Sequence, residues 1–109
     1  MFFLLLSASS GRLVTTNFVF DETVTLCMRR LGHVAARRLG EAALSPRLVD
    51  LVRASRDDET RAWRLFCDRS DKEYSFTDCV SFVVMRRLRI TNVAALDDDF
   101  RSEGFVVLP

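Results

Sequence analysis

The sequence predicts an α/β sandwich, a parallel sheet covered by helices on both faces. Short strand-like runs at 48–52, 93–96 and 105–108, the first of them β-branched, alternate with helical segments as far as residue 96, and strands separated by helices join in parallel. One of those helices, residues 75–88, is almost wholly apolar and has to be buried. With 109 residues and 49% apolar content, the chain forms one domain, residues 1–109, whose core needs no disulfide or metal staple.

At the amino end, Met1-Phe2-Phe3-Leu4-Leu5-Leu6-Ser7-Ala8-Ser9 has the outline of a secretory signal. Its apolar run is short, no positive residue precedes it, and the cysteines argue against export, so a cytoplasmic location is expected. Nothing later is long and apolar enough to cross a membrane. Arg12-Leu13-Val14-Thr15-Thr16 reads as a short extended segment leading to Asn17 as an N-cap. In residues 18–31, Val19, Thr23, Leu26, Cys27, Arg30 and Leu31 recur near helical spacing, which predicts one amphipathic helix ending at Gly32. A second helix spans 33–44 and stops before Ser45-Pro46, because proline disfavours helical geometry in the residue ahead of it.

Leu48-Val49-Asp50-Leu51-Val52 predicts a strand. Ser55-Arg56-Asp57-Asp58 has the capping-box pattern and opens a helix over 58–67 with Ala62, Leu65 and Phe66 on one face. Residues 68–72 form a polar loop. The apolar helix over 75–88 follows, then a strand over 93–96, an acidic turn and a last strand over 105–108. Ligands gather at the carboxyl ends of strands in parallel sheets, and Asp97 stands at such an end.

A formal net charge of +1 with 28% charged residues excludes a polybasic or acidic tail, so nucleic acid would have to be held by a local basic face. Cys27, Cys67 and Cys79 lie in helix-like apolar stretches without paired spacing, as buried free thiols do in a reducing compartment. With the lone His33 they do not make a zinc site, which takes clustered Cys and His ligands. A calcium loop over 68–78 fails as well, since Lys72 replaces an oxygen donor and no glycine sits at the turn.

The acids are the candidate chemistry. Glu22 falls on the first helix, Asp78 at the start of the late one, and Asp97, Asp98 and Asp99 after a strand. Packed as expected, they converge at one edge of the sheet, where close carboxylates repel unless a cation relieves them. Magnesium prefers oxygen ligands, keeps several waters and needs one or two direct carboxylates, and it can activate water against a phosphodiester. Each acid also has a structural reading. Ser75-x-x-Asp78 matches a capping box worth about 1 kcal/mol. Glu22 can complement its helix dipole as a first-turn acid, and the Asp97 to Asp99 run can cap a short helix. In a chain with 15 Asp and Glu, spacing alone favours these structural readings.

Three motifs bear on that choice: Thr15-Thr16-Asn17-Phe18-Val19-Phe20-Asp21-Glu22-Thr23, Asp71-Lys72-Glu73-Tyr74-Ser75-Phe76-Thr77-Asp78-Cys79, and Leu96-Asp97-Asp98-Asp99-Phe100 with Gly104-Phe105. In this order, from Leu13 onward, the chain resembles a bacterial PIN-domain protein of the VapC toxin type. The resemblance implies a three-layer α/β/α sandwich and an Mg²⁺- or Mn²⁺-dependent ribonuclease, often dimeric and often inhibited by an antitoxin protein. It implies that Glu22 and Asp78 are metal-site acids, that Asp97 is the late acid with Asp99 as the alternative register, and that the Thr77 hydroxyl orients the site. Asp71 matches a family position with a structural role. The family's first strand, which ends in an aspartate, and the helices after it lack room before Leu13. Laid over that strand, residues 1–5 put Leu5 in the aspartate's place, so an N-terminally incomplete domain, one carboxylate short, is expected.

Arg29 with Arg30, Arg37 with Arg38, and Arg86 with Arg87 and Arg89 are candidate phosphate contacts, and equally candidates for plain solvated faces. The expected function is a toxin–antitoxin endoribonuclease in which Glu22, Asp78 and Asp97 are catalytic and, with Asp99, hold the metal. The alternative is a non-catalytic PIN remnant that binds an antitoxin-like peptide or a second copy of itself through its apolar helices.

Overall fold

Residues 3–6, 12–95 and 98–108 are described by the structure, a computed structural model, the first four as backbone only. β2 (Leu13–Thr16) pairs in parallel with β3 (Val49–Val52), and β4 (Asn92–Ala95) with β5 (Val106–Val107). Helices lie between the members of each pair, as parallel connections require. Between the pairs runs β1 (Phe3–Leu6), giving the sheet order β3-β2-β1-β4-β5.

β1 is antiparallel to both neighbours. Six residues separate Leu6 from Leu13, too few for a crossover, so the chain can only return in the opposite direction. The expected α/β architecture is present with its parallel pairs. At the centre of the sheet stands a reversed strand, so among the described residues the usual parallel first strand is lacking, as expected.

Local chemistry accounts for the helix ends. α1 (Asn17–Leu31) is capped by Thr16, whose extended backbone lets Oγ1 accept from the Val19 N–H at 3.1 Å. Asn17, expected as the cap, is the first helical residue; its Oδ1 accepts from the Ala54 N–H at 2.8 Å and ties α1 to the end of β3. The helix stops at Gly32, whose φ of 90° suits a residue without Cβ. α2 (His33–Ala43) follows directly. α3 (Arg56–Asp68) and α4 (Phe76–Leu88) each begin with a complete capping box, Ser55 with Asp58 and Ser75 with Asp78. A short α5 (Asp99–Ser102) occupies the expected acidic turn.

The core is organised around α4, in which Cys79, Val80, Phe82, Val84 and Met85 are fully buried. Phe82 meets Tyr74 and Phe100 edge-on at centroid distances of 5.0 and 4.7 Å and stacks on Phe105 at 5.9 Å. Val14 of β2 and Val93 of β4 belong to the same cluster. α1 packs on α2, α3 packs on α4, and α1 touches α4.

α3 buries Asp58 and Ala62 with Leu65 half-buried. Phe66, expected on that face, is instead exposed and stacks on exposed Trp63 at 5.6 Å. Cys67, expected to be buried, is exposed for the same reason. Among the described residues no helix is long and apolar enough to cross a membrane.

Candidate active site

Asp78 is the third residue of α4 and 6% exposed. Its Oδ2 accepts the Ser75 N–H at 3.0 Å, and its own N–H donates to Ser75 Oγ at 3.0 Å. The capping role is therefore real. Burial, with the nearby Asp78 charge as second cause, pushes the Cys79 thiol up to about 11, so Cys79 is no nucleophile at neutral pH.

Glu22 lies beyond the first turn of α1, which holds no acid, so the dipole-complementing role expected of it is absent. Half-buried, it shares a cleft of about 300 Å³ with Asp21, Arg29 and Thr77. The cleft exists because α1 and α4 meet at their starts, where Phe18 sits edge-on to Phe76 at 5.8 Å. Two of the sequence motifs, distant in the chain, are thereby brought to one place.

The late acids are divided. Asp97 lies outside the described residues. Asp98 precedes α5 without a side-chain cap and pairs with Arg101. Asp99 opens α5 half-buried, and its charge reaches Tyr74, two residues before α4. Asp71 is exposed in the loop ahead of α4. Among the described residues no three Asp, Glu, His or Cys side chains stand close enough to enclose a metal ion. The donors present are all oxygen, which matches a hard, water-rich cation held by one or two carboxylates.

β1 contributes no acid, since its sequence is Phe-Leu-Leu-Leu. Its reversal also moves the position assigned to the missing aspartate. Phe3, not Leu5, is paired with Ala95 at the end of β4, while Leu5 lies two residues back, level with Val93.

The arginines separate into two groups. Arg86 donates to Glu103 and Arg87 to Asp58, so both are taken up by the fold. Arg37 pairs with Glu41 on the surface. Arg29 and Arg30 are exposed in the last turn of α1, and Arg29 lines the Glu22 cleft.

Two buried carboxylates escaped the sequence reading. Asp58 was recognised as a cap but not as the partner of Arg87. Glu103 had no reading at all, yet its side chain is 3% exposed and takes bonds from Arg69, Tyr74 and Arg86. Burial alone would raise Glu103; hydrogen bonds from Arg69, Arg86 and Tyr74 together hold it below its ordinary value. Tyr74 is pushed up to about 12, first by burial and then by Glu103. No local pattern marks such a residue, because its partners come from distant segments.

The PIN-domain family profile matches residues 3–105. The chain is 44% identical over 96 residues to the 23S rRNA-specific endonuclease VapC20 of Mycobacterium tuberculosis, in strains CDC 1551 and H37Rv, covering 85% of this chain and 70% of that protein. The crystal structure of M. tuberculosis VapC20, described as a sarcin-ricin loop cleaving toxin, superposes with a TM-score of 0.83 at 41% identity, covering 87% of this chain and 72% of that one.

Proposed function

Because the chain belongs to the PIN-domain family of VapC-type toxins, we propose that it is a divalent-metal-dependent endoribonuclease of toxin–antitoxin type, with Mg²⁺ or Mn²⁺ as the ion. The observation that carries this reading is the cleft where α1 meets α4, shared by Glu22, Arg29 and Thr77, with Asp78 next in the chain. When bound, the ion neutralises charge at the phosphodiester and activates the attacking water.

The chain's own residues have distinct tasks. Glu22 and Asp78 would hold the ion, with Asp97 or Asp99 as the late acid. The Thr77 hydroxyl orients the site. Arg29 pairs a phosphate oxygen and offsets the repulsion between RNA and the acids. β1, with the sequence Phe-Leu-Leu-Leu, would offer the ion no carboxylate.

The relative's specificity makes a structured loop of large ribosomal RNA the first substrate to test. An antitoxin protein, a homodimeric state and a cytoplasmic location belong to the same proposal. A second reading, a non-catalytic binding module, is favoured by an apolar groove of about 540 Å³ between α1 and α2, lined by Phe20, Val24, Met28 and Leu44. Met28, Leu31, Val34 and Leu44 are exposed on these two helices.

RNA cleavage in Mg²⁺ or Mn²⁺, compared between the wild-type chain and Asp78→Asn, separates the two readings. Metal-dependent cleavage lost in Asp78→Asn supports the nuclease. Equal or absent cleavage in both proteins overturns it and leaves the binding module.

A further inference from the structure

We propose that Glu103 is a positioning residue of the metal site, holding α5 with its Asp99 against the start of α4. The inference rests on the nuclease reading above and deepens it.

α5 has four residues and β5 two, so neither is stable by its own hydrogen bonds. Their placement has to come from contacts with the rest of the molecule. Phe100 supplies one, buried against Phe82. A ring in an apolar core fixes depth, but apolar burial is non-directional and leaves rotation about that anchor open.

Glu103 closes α5 and supplies the direction. Arg69 Nε donates to Oε2 at 2.9 Å, Tyr74 Oη donates to Oε2 at 2.9 Å, and Arg86 Nη2 donates to Oε1 at 2.9 Å. Arg86 also donates to the Glu103 main-chain carbonyl at 2.9 Å, so the backbone at the end of α5 is gripped as well. Charge-assisted bonds of this kind are short and oriented.

The donors belong to the parts of the molecule that set Asp78. Arg69 and Tyr74 bracket the loop leading into α4, with Tyr74 one residue before the Ser75 cap, and Arg86 stands in the last turn of the same helix. Glu103 thus couples two acid-bearing segments, α4 with Asp78 and α5 with Asp99. Groups hydrogen-bonded directly to metal ligands typically change affinity by about 10–100-fold when altered, and Glu103, one contact further out, belongs at the lower end of that range.

The test is direct Mn²⁺ binding to the full chain, by electron paramagnetic resonance of the free ion, alongside thermal melting. The proteins compared are wild type, Glu103→Gln, Tyr74→Phe and Asp58→Asn. Asp58→Asn is the control, because it also converts a buried, arginine-paired carboxylate to an amide but joins α4 to α3 and bonds neither α5 nor the loop leading into α4. The expected result is a rise in the Mn²⁺ dissociation constant of about tenfold for Glu103→Gln and a smaller rise for Tyr74→Phe. Asp58→Asn lowers the melting temperature comparably and leaves the constant unchanged.

Glu103→Gln or Tyr74→Phe protein that is destabilised yet binds Mn²⁺ like wild type overturns the positioning role alone. If Glu103→Gln does not fold, Tyr74→Phe, which removes one hydroxyl, decides by the same criterion. A wild-type protein that binds no Mn²⁺ overturns the metal-site reading and this role with it.

Discussion

Arg87 grips Asp58 with two parallel hydrogen bonds, Nε to Oδ1 at 2.9 Å and Nη2 to Oδ2 at 2.8 Å, joining the last turn of α4 to the first turn of α3. Asp58 also caps α3 through the Ser55 N–H, and its side chain is only 1% exposed, so little water is available to replace a lost partner. Replacing Arg87 by Met strands that carboxylate. The expected loss is about 2–3 kcal/mol in urea unfolding, less than for a wholly buried pair because the guanidinium is partly in water. The double variant Asp58→Asn with Arg87→Met recovers part of the loss. Additive effects of the two changes would refute the coupling.

Acid should weaken the fold through the same groups. Hydrogen bonding from Arg87 holds Asp58 below its ordinary 3.8, and the Arg69, Arg86 and Tyr74 bonds outweigh burial to hold Glu103 below 4.5. A carboxylate with a depressed folded pKa contributes stability that is present above its unfolded value and lost as pH falls through its folded one. The melting temperature is therefore expected to decline below about pH 4, and Glu103→Gln should flatten that limb. A variant with an unchanged acid limb would remove Glu103 from the account.

The two roles of Asp78, cap and metal ligand, come apart in a pair of substitutions. Ser75→Ala removes the hydroxyl that receives the Asp78 N–H and should cost about 1 kcal/mol while leaving cleavage in place. Asp78→Asn keeps an acceptor oxygen for the Ser75 N–H, so it should cost less stability yet abolish metal-dependent cleavage. Cleavage lost in proportion to stability across both variants would mean that Asp78 is only a cap.

Arg29 and Arg86 should differ in the same way. Arg29 lines the Glu22 cleft, so Arg29→Ala is expected to weaken RNA binding and lower the salt dependence of affinity by about one phosphate contact. Arg86 is bonded to Glu103, so Arg86→Ala should lower the melting temperature without changing the salt slope. A salt slope unchanged in Arg29→Ala would take that residue out of the RNA path.

What could be read from the chain followed the range of the interaction. Ser55 with Asp58 and Ser75 with Asp78 lie three residues apart, and both were recognisable as helix starts. Gly32 and Pro46 announced the ends of α1 and α2. Phe66 was misplaced because helical spacing leaves open how wide a face α4 covers, and α4 covers α3 only along the line of Asp58, Ala62 and Leu65. Residues 1–5 could be laid over a first strand, but its reversed direction followed only from the short link between Leu6 and Leu13, which leaves no room for a parallel crossover.

By itself the sequence determined the order of α1 to α4 and of β3 to β5, the two capping boxes, and the three acid-bearing motifs of a PIN-domain chain. These depend on contacts within one turn or on short strings of residues. Only the tertiary structure decided that Glu22 and Thr77 share a cleft, that Arg86 and Arg87 serve the fold, and that Glu103 gathers partners 17 to 34 residues away. Such pairings have no local signature, because they exist only after apolar burial around α4 has brought distant segments together.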